Sequence, residues 1–106
     1  MKTWLDKICS VLETPKYKNT KYCWVDINYK TNKITSCCAL GELFLRAKGK
    51  SREARSFSIT KILQDTYKVP SEYVNTVFET INKSNIAGLT KRSIAKFIKQ
   101  EFKGIA

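Results

Sequence analysis

No histidine occurs in this chain. An imidazole general base, a histidine-based triad and a histidine-ligated metal are therefore excluded. The four glycines stand alone at Gly41, Gly49, Gly88 and Gly104, so no glycine-rich phosphate loop exists. No Cys-x-x-Cys pair is present, and a zinc site would need Cys9, Cys23, Cys37 and Cys38 all to converge. No apolar run approaches the roughly 18 residues that a membrane span needs. The first residues, Met1-Lys2-Thr3-Trp4-Leu5-Asp6-Lys7-Ile8-Cys9, have neither the apolar stretch nor the small-residue cleavage site of a secretory signal. A cytoplasmic protein with free thiols and no membrane partner is expected. Acids are also scarce, nine against twenty Lys and Arg, and the formal net charge is +11.

What is present fits one folded domain. The 106 residues are 42% hydrophobic and 27% charged, ordinary proportions for a globular chain that buries one core. The expected class is α+β, mainly helical, a single domain over residues 1–106. It has four to five helices and one small β-hairpin over about residues 21–36. Residues 2–13 place Trp4, Leu5, Ile8, Val11 and Leu12 on one helical face, and Pro15 ends that helix. Residues 14–21 read as a polar connection. In 21–29, Cys23, Val25 and Ile27 alternate with Tyr22, Trp24, Asp26 and Asn28, a strand pattern. Residues 30–33 form the turn and 34–36 the return strand.

A helix is expected from Ser36 or Cys37, holding Ala39, Leu40, Leu43, Phe44 and Leu45, with Gly49 as its stop. Residues 46–57 read as a loop. Ser58 is the expected cap of a helix with Ile59, Ile62, Leu63 and Tyr67, broken at Pro70. Ser71 is the expected cap of the next helix, whose apolar face is Tyr73, Val74, Val77, Phe78 and Ile81. Asn82 to Gly88 reads as a link. Thr90 caps a last helix with Ile94, Ala95, Ile98 and Phe102.

The positive charge is clustered. Arg46, Lys48, Lys50, Arg52 and Arg55 share a stretch with one acid, Glu53. A flexible basic loop suits phosphate contacts, and the same residues also fit a solvated loop. Arg92, Lys96, Lys99 and Lys103 follow at spacings of four, three and four. On a wheel of about 100° per residue with Ile94 at zero, they fall between about 140° and 200°. Ile94, Ala95, Ile98 and Phe102 fall between about 0° and 100°. An amphipathic helix docked on a core explains the apolar face; the basic stripe reads as an electrostatic footprint. Lys16, Lys18 and Lys21 interleave with Tyr17 and Tyr22. Aromatics beside lysines can stack bases, and tyrosines in such a loop can equally cover the core.

Two further patterns carry less. Val69, Val74 and Val77 around Pro70 and Ser71 imitate the second half of a helix-turn-helix. The pattern departs at Lys68, where the turn usually has Gly, and at Gln64, where a small residue is usually buried. Cys37 and Cys38 lie at a strand-to-helix junction, where a thiolate can be activated. With no histidine as base, a packing role is the expectation. The acids are scattered singly.

Cys38-Ala39-Leu40-Gly41-Glu42-Leu43 resembles a Cys-Ala-Leu-Gly-x-Leu signature of small uncharacterised bacterial and phage proteins. Ile81-Asn82 through Asn85, with Leu89-Thr90 and Ile94-Ala95-x-x-Ile98, is similar to the tail that follows it there. The resemblance covers about 30 residues and implies a small helical domain, with no site residue carried over. Gly41 in such a helix would permit close packing. The Lys-, Asn- and Ile-rich style also suggests a phage accessory protein that binds a host machine.

These observations favour a non-enzymatic protein without cofactor or metal that binds nucleic acid or another polyanion through phosphate. The candidate contacts are Arg46, Lys48, Lys50, Arg52, Arg55, Arg92, Lys96, Lys99 and Lys103. Low sequence specificity follows from phosphate contacts. A second reading is an inhibitor that docks the basic face on an acidic surface of a host protein or nucleoprotein machine. Tyr17, Tyr22 and Trp24 are the candidate stacking residues, and Tyr22 or Trp24 would anchor a protein partner. A third is a pocket that sequesters an anionic nucleotide.

Overall fold

The computed structural model describes residues 3–20, 25–28, 30–31, 33–48 and 59–105. Among these residues the chain forms five helices and three strands, in the class expected from the sequence. The order is α1 (Trp4–Glu13), β1 (Lys18–Asn19), β2 (Val25–Asn28), β3 (Lys33–Cys37), α2 (Ala39–Lys48), α3 (Ile59–Asp65), α4 (Ser71–Ile86) and α5 (Lys91–Glu101).

Local chemistry sets several of these bounds. Thr3 opens α1 with a capping box: its hydroxyl accepts the Asp6 N–H, and the Asp6 carboxylate accepts the Thr3 N–H. Two orphan donors are thereby satisfied at once. Thr90 opens α5 as expected, accepting from the Ser93 N–H. α4 closes through Gly88 at φ 97°. The Gly88 N–H reaches the Asn85 carbonyl and the Leu89 N–H reaches the Ser84 carbonyl. This is a Schellman closure, and it needs a residue without a Cβ penalty at positive φ.

Several boundaries differ from the sequence reading. Ser36 and Cys37 belong to β3, and α2 starts at Ala39. There the Cys38 sulfur accepts from the Gly41 N–H, acting as the cap. α2 continues to Lys48, so Arg46 and Lys48 are helical and do not belong to a loop. Tyr67 follows α3 outside the helix, still buried, its hydroxyl donating to the Leu43 carbonyl at 2.6 Å. Ser71 is the first residue of α4. Its cap position is Pro70, without a side-chain bond. Asn82 to Ile86 continue α4 where a link was expected. The cause is tertiary: Asn85 accepts from the Ala39 N–H at 3.0 Å and donates to the Thr20 carbonyl at 2.9 Å. Those bonds compensate its modest helix propensity. The bond with Ala39 also joins the two segments that carry the resemblance.

β2 and β3 form the expected antiparallel hairpin, with Val25 opposite Cys37 and Asn28 opposite Lys33. Its register shifts between Asp26 and Ile27, leaving Thr35 as the extra residue on β3. A third strand joins the hairpin: β1, inside the expected connection, pairs parallel with β3. Two residues with both side chains exposed give no alternation to read. Buried side chains from α1, β3, α2, α3, α4 and α5 make one core cluster, with Phe44, Ile8, Leu12 and Leu43 among its largest members. No described helix is long and apolar enough to cross a membrane.

Lys68, between α3 and α4, sits at φ 64°. A side chain with a Cβ pays roughly 1 kcal/mol there. Lys68→Gly is expected to stabilise the domain by about that amount and raise its Tm by about 4–8 °C. A melt followed by circular dichroism checks it; an unchanged or lower Tm would show that the turn carries no such strain.

Candidate polyanion-binding surface

α5 presents its two faces as the spacing requires. Ile94, Ala95, Ile98 and Phe102 are buried, while Arg92, Lys96, Lys99 and Lys103 are exposed. The four cations are not equivalent. Lys99 Nζ lies 2.8 Å from Glu13 Oε1. That hydrogen bond and the carboxylate charge raise the Lys99 pKa. The Arg92 Nε donates to the Glu13 carbonyl at 3.3 Å. Among the described residues, Lys96 and Lys103 have no such partner and point to solvent.

The second basic cluster is only partly on view. Arg46 is half-buried on α2, donating to the Thr14 carbonyl at 2.7 Å and lying 3.9 Å from Glu42 Oε2. It is therefore not a cation of a solvated loop. Lys48 is on the same helix, and its side chain lies outside what is described. Lys50, Arg52 and Arg55 lie outside the described residues. So do Tyr22 and Trp24. Tyr17 is half-buried and packs against the core.

Arg46 and Arg92 come from distant parts of the sequence, yet bond adjacent carbonyls, those of Thr14 and Glu13. α1 has no basic residue in its own last turn. Cations from α2 and α5 thus answer the negative end of its dipole and its unpaired carbonyls. Arg92 and Lys99, two of the four stripe cations, and Arg46 consequently have a structural task as well as a charge.

Behind this surface lies a buried ion pair that sequence reasoning did not single out. Glu42 is 0% exposed and Lys91 is 2% exposed. Lys91 Nζ donates to Glu42 Oε1 at 2.8 Å, to the Tyr17 carbonyl at 2.9 Å and to the Cys37 sulfur at 3.3 Å. All three ammonium donors are used. The carboxylate also accepts the backbone N–H groups of Lys16 and Tyr17, at 3.2 and 3.3 Å. The cluster fastens the segment before β1 onto α2 and α5. With every donor engaged, it has no group left to offer a ligand. A signal was present: on the wheel used above, Lys91 falls at about 60°, inside the apolar arc.

The Cys9, Cys37 and Cys38 thiols are held neutral. Burial pushes Cys37 up to about 12, against the pull of the Lys91 ammonium. Burial likewise pushes Cys9 up to about 11, opposed chiefly by Lys99. Cys38 is raised by burial too, opposed by its bond from Gly41. Buried thiols of this kind are inert. Cys9, Cys37 and Cys38 are free. Among the described residues no group of three or more Cys, Asp or Glu side chains could hold a metal ion.

A pH dependence follows. Cys9 and Cys37 have an ordinary pKa of 9.0 when unfolded and higher values when folded. Tyr67, also pushed up by burial, goes from 10.0 to about 12. The folded state then binds more protons than the unfolded state between these limits, so stability falls as pH rises. Their contribution is intact below about pH 9 and is lost between pH 9 and 12. At pH 8, iodoacetamide is expected to leave Cys9, Cys37 and Cys38 unmodified until denaturant is added, as read by peptide mass spectrometry. Native-state labelling at any of the three would contradict this.

The helix-turn-helix pattern has a physical counterpart in one respect. Lys68 adopts the positive φ of the usual turn glycine, and Val69, Val74 and Val77 are buried. Gln64, however, is exposed, and so are Ser71, Glu72, Asn75, Thr76 and Glu79 on α4. Two carboxylates and no cation over 71–79 would repel a phosphate backbone. α4 is therefore a poor reading head.

Three concavities accompany these elements. An open groove of about 510 Å³ between α1 and α5 is lined by Lys96, Lys99 and Lys103. A second, of about 420 Å³ between α4 and α5, carries Phe97 with one cation, Lys83, and one acid, Glu101. A third, about 260 Å³, lies beside Tyr17, Lys91 and Arg92. Positive charge concentrates on the first. Compared with known proteins, the chain matches no family model, no curated protein and no solved structure.

Proposed function

We propose that the protein is a non-enzymatic, cytoplasmic binder of nucleic acid that grips phosphate through the outer face of α5. The observation that supports this most is the sidedness of that helix. Ile94, Ala95 and Ile98 are committed to the core, and Phe97 is exposed on another side. The outer face holds Arg92, Lys96 and Lys99, continued by Lys103 in the turn after the helix, with Glu101 as the lone acid of the helix. A regular row of exposed cations on a +11 chain raises the local concentration of an anionic ligand and speeds its arrival. Contacts to phosphate carry no base identity, so binding is weakly sequence-dependent and strongly salt-dependent.

Titration against fluorescent single- and double-stranded oligonucleotides at two salt concentrations tests the reading. Four phosphate contacts predict a log–log salt slope of about −3 to −4. No binding at low salt removes nucleic acid as the ligand. The basic face would then serve an acidic protein surface, the host-directed alternative, and capture from host lysate after nuclease treatment would be the next measurement.

A further inference from the structure

The α1/α5 groove has a feature that phosphate binding leaves unused. Its wall on α5 is cationic, with Lys96 and Lys103 unpaired among the described residues and Lys99 shared with Glu13. Its wall on α1 carries a carboxylate, Asp6. One oxygen of Asp6 accepts the Thr3 N–H of the capping box at 3.3 Å. The other has no partner among the described residues. Between the walls sits Leu5, together with the aliphatic stems of the lysines. The volume, about 510 Å³, is in the range of small-ligand clefts.

A ligand suited to this groove must be anionic on one side, apolar in the middle, and a hydrogen-bond donor on the other. A featureless polyanion meets only the first condition, because Asp6 repels it. A nucleotide whose base carries an exocyclic amino group meets all three. The amino N–H groups of adenine and cytosine are donors that a carboxylate accepts. In a duplex each amino group still shows one N–H in the major groove, but the base is stacked on both faces and cannot lay one against the Leu5 floor.

We propose that the α1/α5 groove accepts one unpaired nucleotide bearing an amino base, with its phosphates on Lys96 and Lys103 and its amino group on Asp6. The proposal deepens the nucleic-acid reading above and rests on it. The floor is aliphatic, so the base adds selectivity while the phosphates supply most of the affinity.

The test compares oligo(dA), oligo(dC) and oligo(dT) of equal length with the corresponding duplex, for the wild type and Asp6→Asn. Thymine has no exocyclic amine. The wild type is expected to bind oligo(dA) and oligo(dC) about tenfold tighter than oligo(dT), and tighter than duplex. Asp6→Asn is expected to bring the ratio near one, with oligo(dT) bound as tightly as before or tighter because the repelling carboxylate is gone. Asn can still accept the Thr3 N–H, and a thermal melt checks the fold. The wild-type ratio stands as a measurement independent of any variant. Competition with free dAMP separates a mononucleotide ligand from a strand: displacement at micromolar concentration assigns the groove to the former, and displacement only by oligonucleotide to the latter. Equal affinity for all three homopolymers, with salt-sensitive binding intact, overturns the groove proposal and leaves the polyanion reading standing. No binding to any of them overturns both.

Discussion

Lys91→Met is expected to cost the domain about 3–5 kcal/mol, a large part of the stability of a chain this size. The substitution fits the aliphatic stem and removes the charge. It leaves the Glu42 carboxylate, 0% exposed, without the ammonium 2.8 Å away. The Tyr17 carbonyl and the Cys37 sulfur lose the same donor. Arg46, at 3.9 Å from the far oxygen, is too distant to replace it. Glu42→Gln alone is expected to be nearly as harmful, because it leaves a buried ammonium facing a neutral amide. The double variant Lys91→Met with Glu42→Gln buries no charge and retains an acceptor for one of the Lys16 and Tyr17 N–H groups, which bond different oxygens of Glu42. It is expected to lose less than the sum of the two singles, by about 2–3 kcal/mol. Urea denaturation with an unchanged m-value measures all three. A single variant that costs under about 1 kcal/mol, or singles that simply add, would show that water reaches this pair.

Lys96→Glu with Lys103→Glu is expected to weaken oligonucleotide binding at least about tenfold at low salt. The log–log salt slope should shrink by about 1.4–1.8, two contacts at about 0.7–0.9 each. These two lysines are chosen because neither has a protein partner among the described residues. Reversing Lys99 would place a carboxylate against Glu13 and confuse binding with folding. Both positions are exposed, so stability should change by less than about 0.5 kcal/mol apiece. The control is Lys30→Glu with Lys61→Glu, an equal change in net charge on exposed sites of the turn and α3. If the control pair weakens binding as much as the α5 pair, affinity follows total charge and α5 is not the site. If neither does, nucleic acid is held elsewhere or not at all.

The two variant sets separate two uses of charge in one small molecule. Glu42 and Lys91 are inside, paired and fully bonded, and they act on the fold. Lys96 and Lys103 are outside, without a protein partner among the described residues, and they are the groups free to meet a ligand. Arg46, Arg92 and Lys99 stand between these limits. Each touches the last residues of α1 and still faces water in part.

The amphipathic helices were legible because their pattern is local. A 3.6-residue period in Trp4, Leu5, Ile8 and Leu12, or in Ile94, Ala95, Ile98 and Phe102, needs nothing beyond the helix to be read. Thr90 and Pro70 mark ends for equally local reasons, a side-chain acceptor and a ring that cannot continue a helix backwards. The hairpin followed from alternation, and the basic stripe of α5 from the same wheel as its apolar face.

Only the tertiary structure could decide the rest, because the deciding partners are far apart in the chain. β1 exists through its pairing with β3, and two polar residues announce nothing on their own. α4 runs past Asn82 because Asn85 finds bonds at Ala39 and Thr20, 46 and 65 residues away. Glu42 and Lys91, 49 residues apart, looked like ordinary surface charges until the fold closed around both. The amino acids set which faces are apolar and where the cations lie along α5. The packing of α1 against α5 and α2 determined which cations are tied down, which remain free, and that they share a groove with Asp6.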